Sequence, residues 1–114
     1  MGKIELYRSY IMSILTDYAQ SVFPANLQGV ENQILADTDK NHYVLISFGW
    51  EKRAFSYTVI FHFDIKPDGK IWLQTNNTDR DVAEDLELMG VPASDIVIGF
   101  QAQDTRHFTR YAVI

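Results

Sequence analysis

Residues 55–65 read Phe55-Ser56-Tyr57-Thr58-Val59-Ile60-Phe61-His62-Phe63-Asp64-Ile65, followed by Lys66-Pro67-Asp68-Gly69 and then Lys70-Ile71-Trp72-Leu73-Gln74-Thr75. Phe55, Tyr57, Val59, Phe61, Phe63 and Ile65 recur at every second position, and Ser56, Thr58, His62 and Asp64 take the alternate ones. Successive side chains of a strand point to opposite faces, so the alternation predicts one long, half-buried strand with an aromatic-rich face. Pro67-Asp68-Gly69 turns the chain, because proline presets φ and glycine accepts positive φ. Lys70–Thr75 is then the returning partner strand. This is a sheet protein.

Working outward toward the N-terminus, His42–Trp50 supplies another strand, with Val44, Ile46 and Phe48 on one face and Tyr43, Leu45 and Ser47 on the other. Both faces carry apolar residues, which fits a central or doubly covered strand. Gln33–Asp37 is a shorter strand joined to it through Asp39-Lys40-Asn41. Short turns between four successive strands imply an antiparallel meander. Before it, Ile4, Tyr7, Ile11, Ile14, Leu15, Tyr18 and Val22 fall at spacings of three and four, the stripe of a helix that Pro24 stops. Toward the C-terminus the period changes to that of a helix. Asn77 or Thr78 is the expected N-cap, Asp79 and Asp81 favour the first turn, and Val82, Ala83, Leu86 and Met89 form the buried stripe. Gly90 stands at the left-handed C-cap position. Ile96–Phe100 reads as a short apolar strand, and the tail ending at Ile114 is expected to pack down. The whole chain, 1–114, is one α+β domain: an antiparallel meander of four or more strands, the N-terminal helix on its aromatic face, and a second short helix after the sheet. On that arrangement both Phe55 and Phe61 are core rings, and Trp50 and Trp72 are read as core residues.

A chain of 114 residues with 46% hydrophobic content can fill one core. Cysteine is absent, which excludes disulfides and thiolate chemistry and fits a reducing compartment. No apolar run approaches the roughly 20 residues of a membrane span, and the start Met1-Gly2-Lys3-Ile4 matches neither a signal peptide nor a myristoylation motif. A cytoplasmic protein with no membrane contact is expected. The net charge of −5 argues against direct, tight nucleic-acid binding, which needs clustered Lys and Arg. The nearest approach to a basic patch is Arg106, His107 and Arg110. Two-faced apolar strands and two tryptophans exceed what two helices cover, so a homo-oligomer is expected.

The candidate chemistry is sparse. His62 and Asp64 lie two apart on one strand and can point the same way, with Trp72 and Gln74 on the partner strand. They could form an acid–base pair, but no nucleophile is signalled beside them. A metal site needs a third ligand, and the spacing brings neither His42 nor His107 close, so no metal and no other cofactor is expected. The acidic run Asp79, Asp81, Glu84, Asp85, Glu87 reads as a solvated helix face. Arg106 and Arg110 complete the candidate functional surface.

These residues resemble the XisI-like family of fdxN-element excision controlling factors. The likeness is carried by Tyr7-Arg8 through Asp17-Tyr18-Ala19, by His42-Tyr43 and Gly49-Trp50, and by His62-Phe63-Asp64-Ile65 with Gly69-Lys70-Ile71-Trp72-Leu73-Gln74. Asn77-Thr78-Asp79 with Val82-Ala83-Glu84-Asp85-Leu86, Gly90-Val91-Pro92 with Asp95-Ile96-Val97, and Arg106 with Phe108-Thr109 and Ala112-Val113 extend it over nearly the whole chain. In place of the Phe-His-Pro-Pro that the family tends to carry before the Arg106 position, this chain has Phe100-Gln101-Ala102-Gln103, so no role of that histidine transfers. The resemblance implies a non-enzymatic accessory that regulates excision of a DNA element beside a site-specific recombinase in cyanobacterial heterocyst development, through a companion protein of the XisH type. The residues themselves leave open a small enzyme using His62 and Asp64.

Overall fold

Five of the apolar residues spaced for a helix (Tyr7, Ile11, Ile14, Leu15 and Tyr18) are buried on one side of helix α1, Lys3–Ser21. The computed structural model describes residues 2–21 and 29–113. Val22, Pro24 and Ile114, together with the side chains of His107 and Phe108, lie outside the described residues. Strands β1 (Val30–Asp37), β2 (His42–Glu51), β3 (Ala54–Ile65) and β4 (Ile71–Asn76) form the antiparallel meander. Helix α2 (Val82–Met89) then leads through a short 3-10 turn at Ala93–Asp95 into β5 (Ile96–Ile98), which pairs parallel with β4. The sheet is therefore mixed, in the order β1-β2-β3-β4-β5. The short helix expected after the sheet instead lies inside it in sequence, because a parallel neighbour needs a crossover rather than a hairpin.

Local chemistry accounts for the connections. Asp37 Oδ1 accepts hydrogen bonds from Asp39 N and Lys40 N, both at 3.0 Å, and Asn41 takes a positive φ, which closes the β1–β2 turn. At the far end of that hairpin Gly49 has φ +144°, and a Cβ there would meet the Gly29 carbonyl oxygen. The N-cap of α2 is Asp81, whose carboxylate accepts from Glu84 N at 3.1 Å, and not Asn77 or Thr78. Those earlier polar residues shape the approach instead, with Asn76 Oδ1 accepting from Thr78 N and Oγ1. Gly90 closes α2 in the left-handed conformation.

The long alternation of β3 does not define one face. Leu45 pairs with Phe61 but Ile46 pairs with Val59, so Ile60 is an extra residue, a β-bulge that reverses the phase of the strand. Beyond it Phe61, Phe63 and Ile65 join Tyr43 and Leu45 under α1, in a core shared with Val82 and Leu86 of α2. Before it Phe55, Tyr57 and Val59 sit opposite Trp50, Phe48 and Ile46 on the other, open face. Phe55 is consequently 54% exposed and Trp50 58% exposed, against the expectation that both are core. Both helices contribute to the one core, on one side of the sheet.

Candidate functional site

The bulge at Ile60 also sets the chemistry of the open face. Glu51 pairs with Ala54 at the hairpin end, and an unbroken ladder counted outward from there would place His42 opposite Phe63. The extra residue moves the register by one, and His42 pairs with Asp64 instead. His62, two residues before Asp64 on the same strand, shares that face. The spacing expectation that His42 stays away from this pair is thus overturned.

Asp64 is the centre of the cluster. Its side chain is 8% exposed, whereas those of His42 and His62 are 50% and 35% exposed. His42 Nδ1 lies 2.7 Å and His62 Nε2 2.9 Å from the same oxygen, Asp64 Oδ1. Gln74 Nε2 donates to Oδ2 at 3.1 Å, and Lys66 Nζ stands 3.9 Å from that oxygen. Burial pushes the Asp64 carboxyl up, but hydrogen bonds from His42, Gln74 and His62 outweigh it and hold the group below the usual carboxylate range. Asp64 is a buried carboxylate fixed through both oxygens. A second irregularity, between His62 and Phe63 in the β3–β4 ladder, sits at Gln74, which pairs with neither strand neighbour in sequence: His62 faces Thr75 and Phe63 faces Leu73.

The remaining sequence-derived candidates divide. Trp72, half-buried, pairs with Asp64 across the ladder and carries two cations over its ring, Lys66 Nζ at 5.6 Å from the centroid and Arg106 Cζ at 5.0 Å. Arg106 is anchored there by hydrogen bonds from Nε to the Gln101 carbonyl and from Nη2 to the Gly99 carbonyl. Arg110 goes elsewhere: its guanidinium pairs with Glu87 of α2, with Nε 3.1 Å from Oε1, and Tyr111 donates its hydroxyl to the same oxygen at 2.7 Å. His62, Asp64, Gln74, Trp72 and Arg106 therefore line one side of the sheet, and Arg110 does not join them. A groove of about 400 Å³ opens beside His42 and Val44 and runs along β1 at Leu35 and Asp37.

Further along the open face lies an aromatic strip. The Trp50 and Phe55 rings stand 5.3 Å apart and the Phe48 and Tyr57 rings 6.0 Å apart, with Tyr57 60% exposed. Among the described residues no helix is long and apolar enough to cross a membrane.

Set beside known proteins, the chain finds clear relatives. The crystal structure of a XisI-like protein from Anabaena variabilis ATCC 29413 superposes with a TM-score of 0.88 at 45% identity, covering 97% of this chain and 99% of that one. The crystal structure of fdxN element excision controlling factor XisI from the same organism superposes with a TM-score of 0.84 at 23% identity, covering 99% of this chain and 100% of that one, a likeness of fold. No protein of curated function matches. The family described as XisI protein matches residues 1–113. With a match over that span and a fold shared end to end, this chain belongs to the XisI family.

Proposed function

We propose that this chain is a non-enzymatic regulator of DNA-element excision that works through protein contacts, with a companion of the XisH type and with further copies of itself. Family membership supports the regulatory role, as does the shared fold with a protein named as an excision controlling factor. The observation that carries the mode of action is the aromatic strip Phe48, Trp50, Phe55, Tyr57 on a sheet face that neither helix covers. Tryptophan and tyrosine are enriched among residues that dominate binding energy, and contiguous exposed apolar surface marks contact sites. The absence of cysteine fits the reducing cytoplasm, where the DNA is held.

Two measurements test this reading. Sedimentation equilibrium should give a mass above the 13.1 kDa of one chain at tens of micromolar, and Trp50→Ala with Tyr57→Ala should return it to the single-chain value. The companion protein should co-purify with the wild type and be lost from the same double variant. A single-chain mass together with no retained companion would overturn the proposal. The second reading, a small enzyme, draws on the 2.9 Å contact between His62 Nε2 and Asp64 on a partly open face. It would prevail if His62→Ala abolished a measurable turnover while leaving companion binding intact.

A further inference from the structure

His42, His62 and Asp64 converge more closely than their separation in sequence suggests. One potential ligand atom from each lies within 4.8 Å of the other two. The three come from β2 and β3, the strands with the longest ladder in the sheet, so their Cα positions are set by backbone pairing on both sides. The Asp64 carboxyl group is already oriented, with Oδ2 held by Gln74 at 3.1 Å. The two imidazoles approach the other oxygen from different strands.

From this we propose that His42, His62 and Asp64 form a binding site for one divalent transition cation of the Zn²⁺ type. The contacts now made by two ring N–H groups to Asp64 Oδ1 are the places an ion would take, each imidazole shifting its proton to its other nitrogen. Ligand distances at Zn²⁺ are about 2.0–2.2 Å, so two donors on one ion stand at most about 4.4 Å apart. Rotation of the half-exposed His42 ring covers the difference. Two imidazoles, borderline donors, beside one carboxylate favour Zn²⁺, Co²⁺ and Ni²⁺ over Mg²⁺ and Ca²⁺, which prefer all-oxygen shells. Three protein ligands with two of them open to solvent leave at least one position for water, the pattern of an open rather than a closed structural site. Gln74 acts behind the ligands by orienting the carboxylate, and such partners typically contribute about 10–100-fold to metal affinity. Lys66 opposes a cation here, but its ammonium is also placed over Trp72 and is half-exposed, so it can move toward the ring.

Titration of the tag-free, chelator-treated protein with ZnCl₂ by calorimetry, and with CoCl₂ by visible absorption, tests the site directly. The expected result is one ion per chain, with ligand-field bands in the Co²⁺ complex and displacement of Co²⁺ by Zn²⁺. His42→Ala and His62→Ala should each weaken binding by at least about tenfold, and Gln74→Ala by about tenfold, with circular dichroism unchanged. Asp64→Asn removes the third ligand, and the two histidine variants keep the test decisive if that protein does not fold. Failure of the folded wild type to bind either ion would overturn the proposal. So would binding that the double variant His42→Ala, His62→Ala leaves undiminished.

Discussion

Phe61 and Phe55 stand on one strand and look equivalent by alternation, yet Phe61 has no exposed surface and Phe55 lies open beside Trp50. Truncation to alanine should separate them. Phe61→Ala removes a ring packed edge-on against Tyr18 and should cost about 3–5 kcal/mol, whereas Phe55→Ala should stay within about 0.5 kcal/mol of wild type. Denaturant midpoints of the two variants, taken at concentrations low enough to hold single chains, give the comparison, and equal losses would mean that Phe55 is packed as Phe61 is. A second residue-scale prediction concerns Asp95, which accepts the Tyr7 hydroxyl at 2.5 Å and lies 3.0 Å from Lys3 Nζ. Burial pushes its carboxyl up, but hydrogen bonds from Tyr7 and Lys3 outweigh it and hold the group below the usual range. A carboxylate whose folded pKa is depressed contributes stability above its unfolded pKa of about 3.9, and loses that contribution as pH falls through the folded value. Wild type should therefore lose more stability than Asp95→Asn between about pH 5 and pH 2, the two curves converging in acid. Chemical denaturation at stepped pH would read this, and parallel curves would refute it.

Among the elements, α2 has the most explicit local signals. Asp81 caps its first turn and Gly90 its last, so Asp81→Ala should cost about 1 kcal/mol and Gly90→Ala roughly 1–2 kcal/mol, the second because a Cβ disfavours the left-handed conformation. Thermal unfolding of each variant checks both, and an unchanged midpoint for Gly90→Ala would show that the helix end rearranges. The helix and its Gly90 end were legible because such signals act within a turn of chain. The four-strand meander was legible for the same reason, its turns being marked by Asp39-Lys40-Asn41 and Pro67-Asp68-Gly69. The position of the cap was not, since Asn77, Thr78 and Asp81 all suit it chemically and the fold alone decides between them. The candidate site was only half legible. His62 and Asp64 share a strand and could be paired by spacing, but His42 reaches them through the residue inserted at Ile60, an apolar residue among apolar neighbours that the alternation does not distinguish. The same insertion hid the exposure of Phe55 and Trp50. The parallel strand β5 was visible as an apolar segment, while its direction followed from where α2 docks, a tertiary matter.

On the scale of the whole molecule, charge and ion pairing bear on DNA. The chain carries a net charge of −5, and the candidate contacts Arg110 and Arg106 are engaged internally, Arg110 with Glu87 and Arg106 with Trp72 and two carbonyls. We expect no sequence-specific retardation of DNA by the isolated protein at physiological salt, because few phosphate contacts release few counterions. A specific complex weakened by Arg106→Ala or Arg110→Ala would reverse that expectation. The order of the sheet has a further consequence, in the time domain. β3 lies in the middle with a neighbouring strand on each side, while β5 is three residues long with a strand on one side and a backbone hydrogen bond from Ala112 N to Ile96 O besides. Amide hydrogens near Ile96–Ile98 should then exchange with solvent through small local openings, and those of β3 chiefly through global ones. His62 and Asp64 belong to the strand expected to exchange most slowly, so their backbone positions should hold while the C-terminal edge opens and closes many times over.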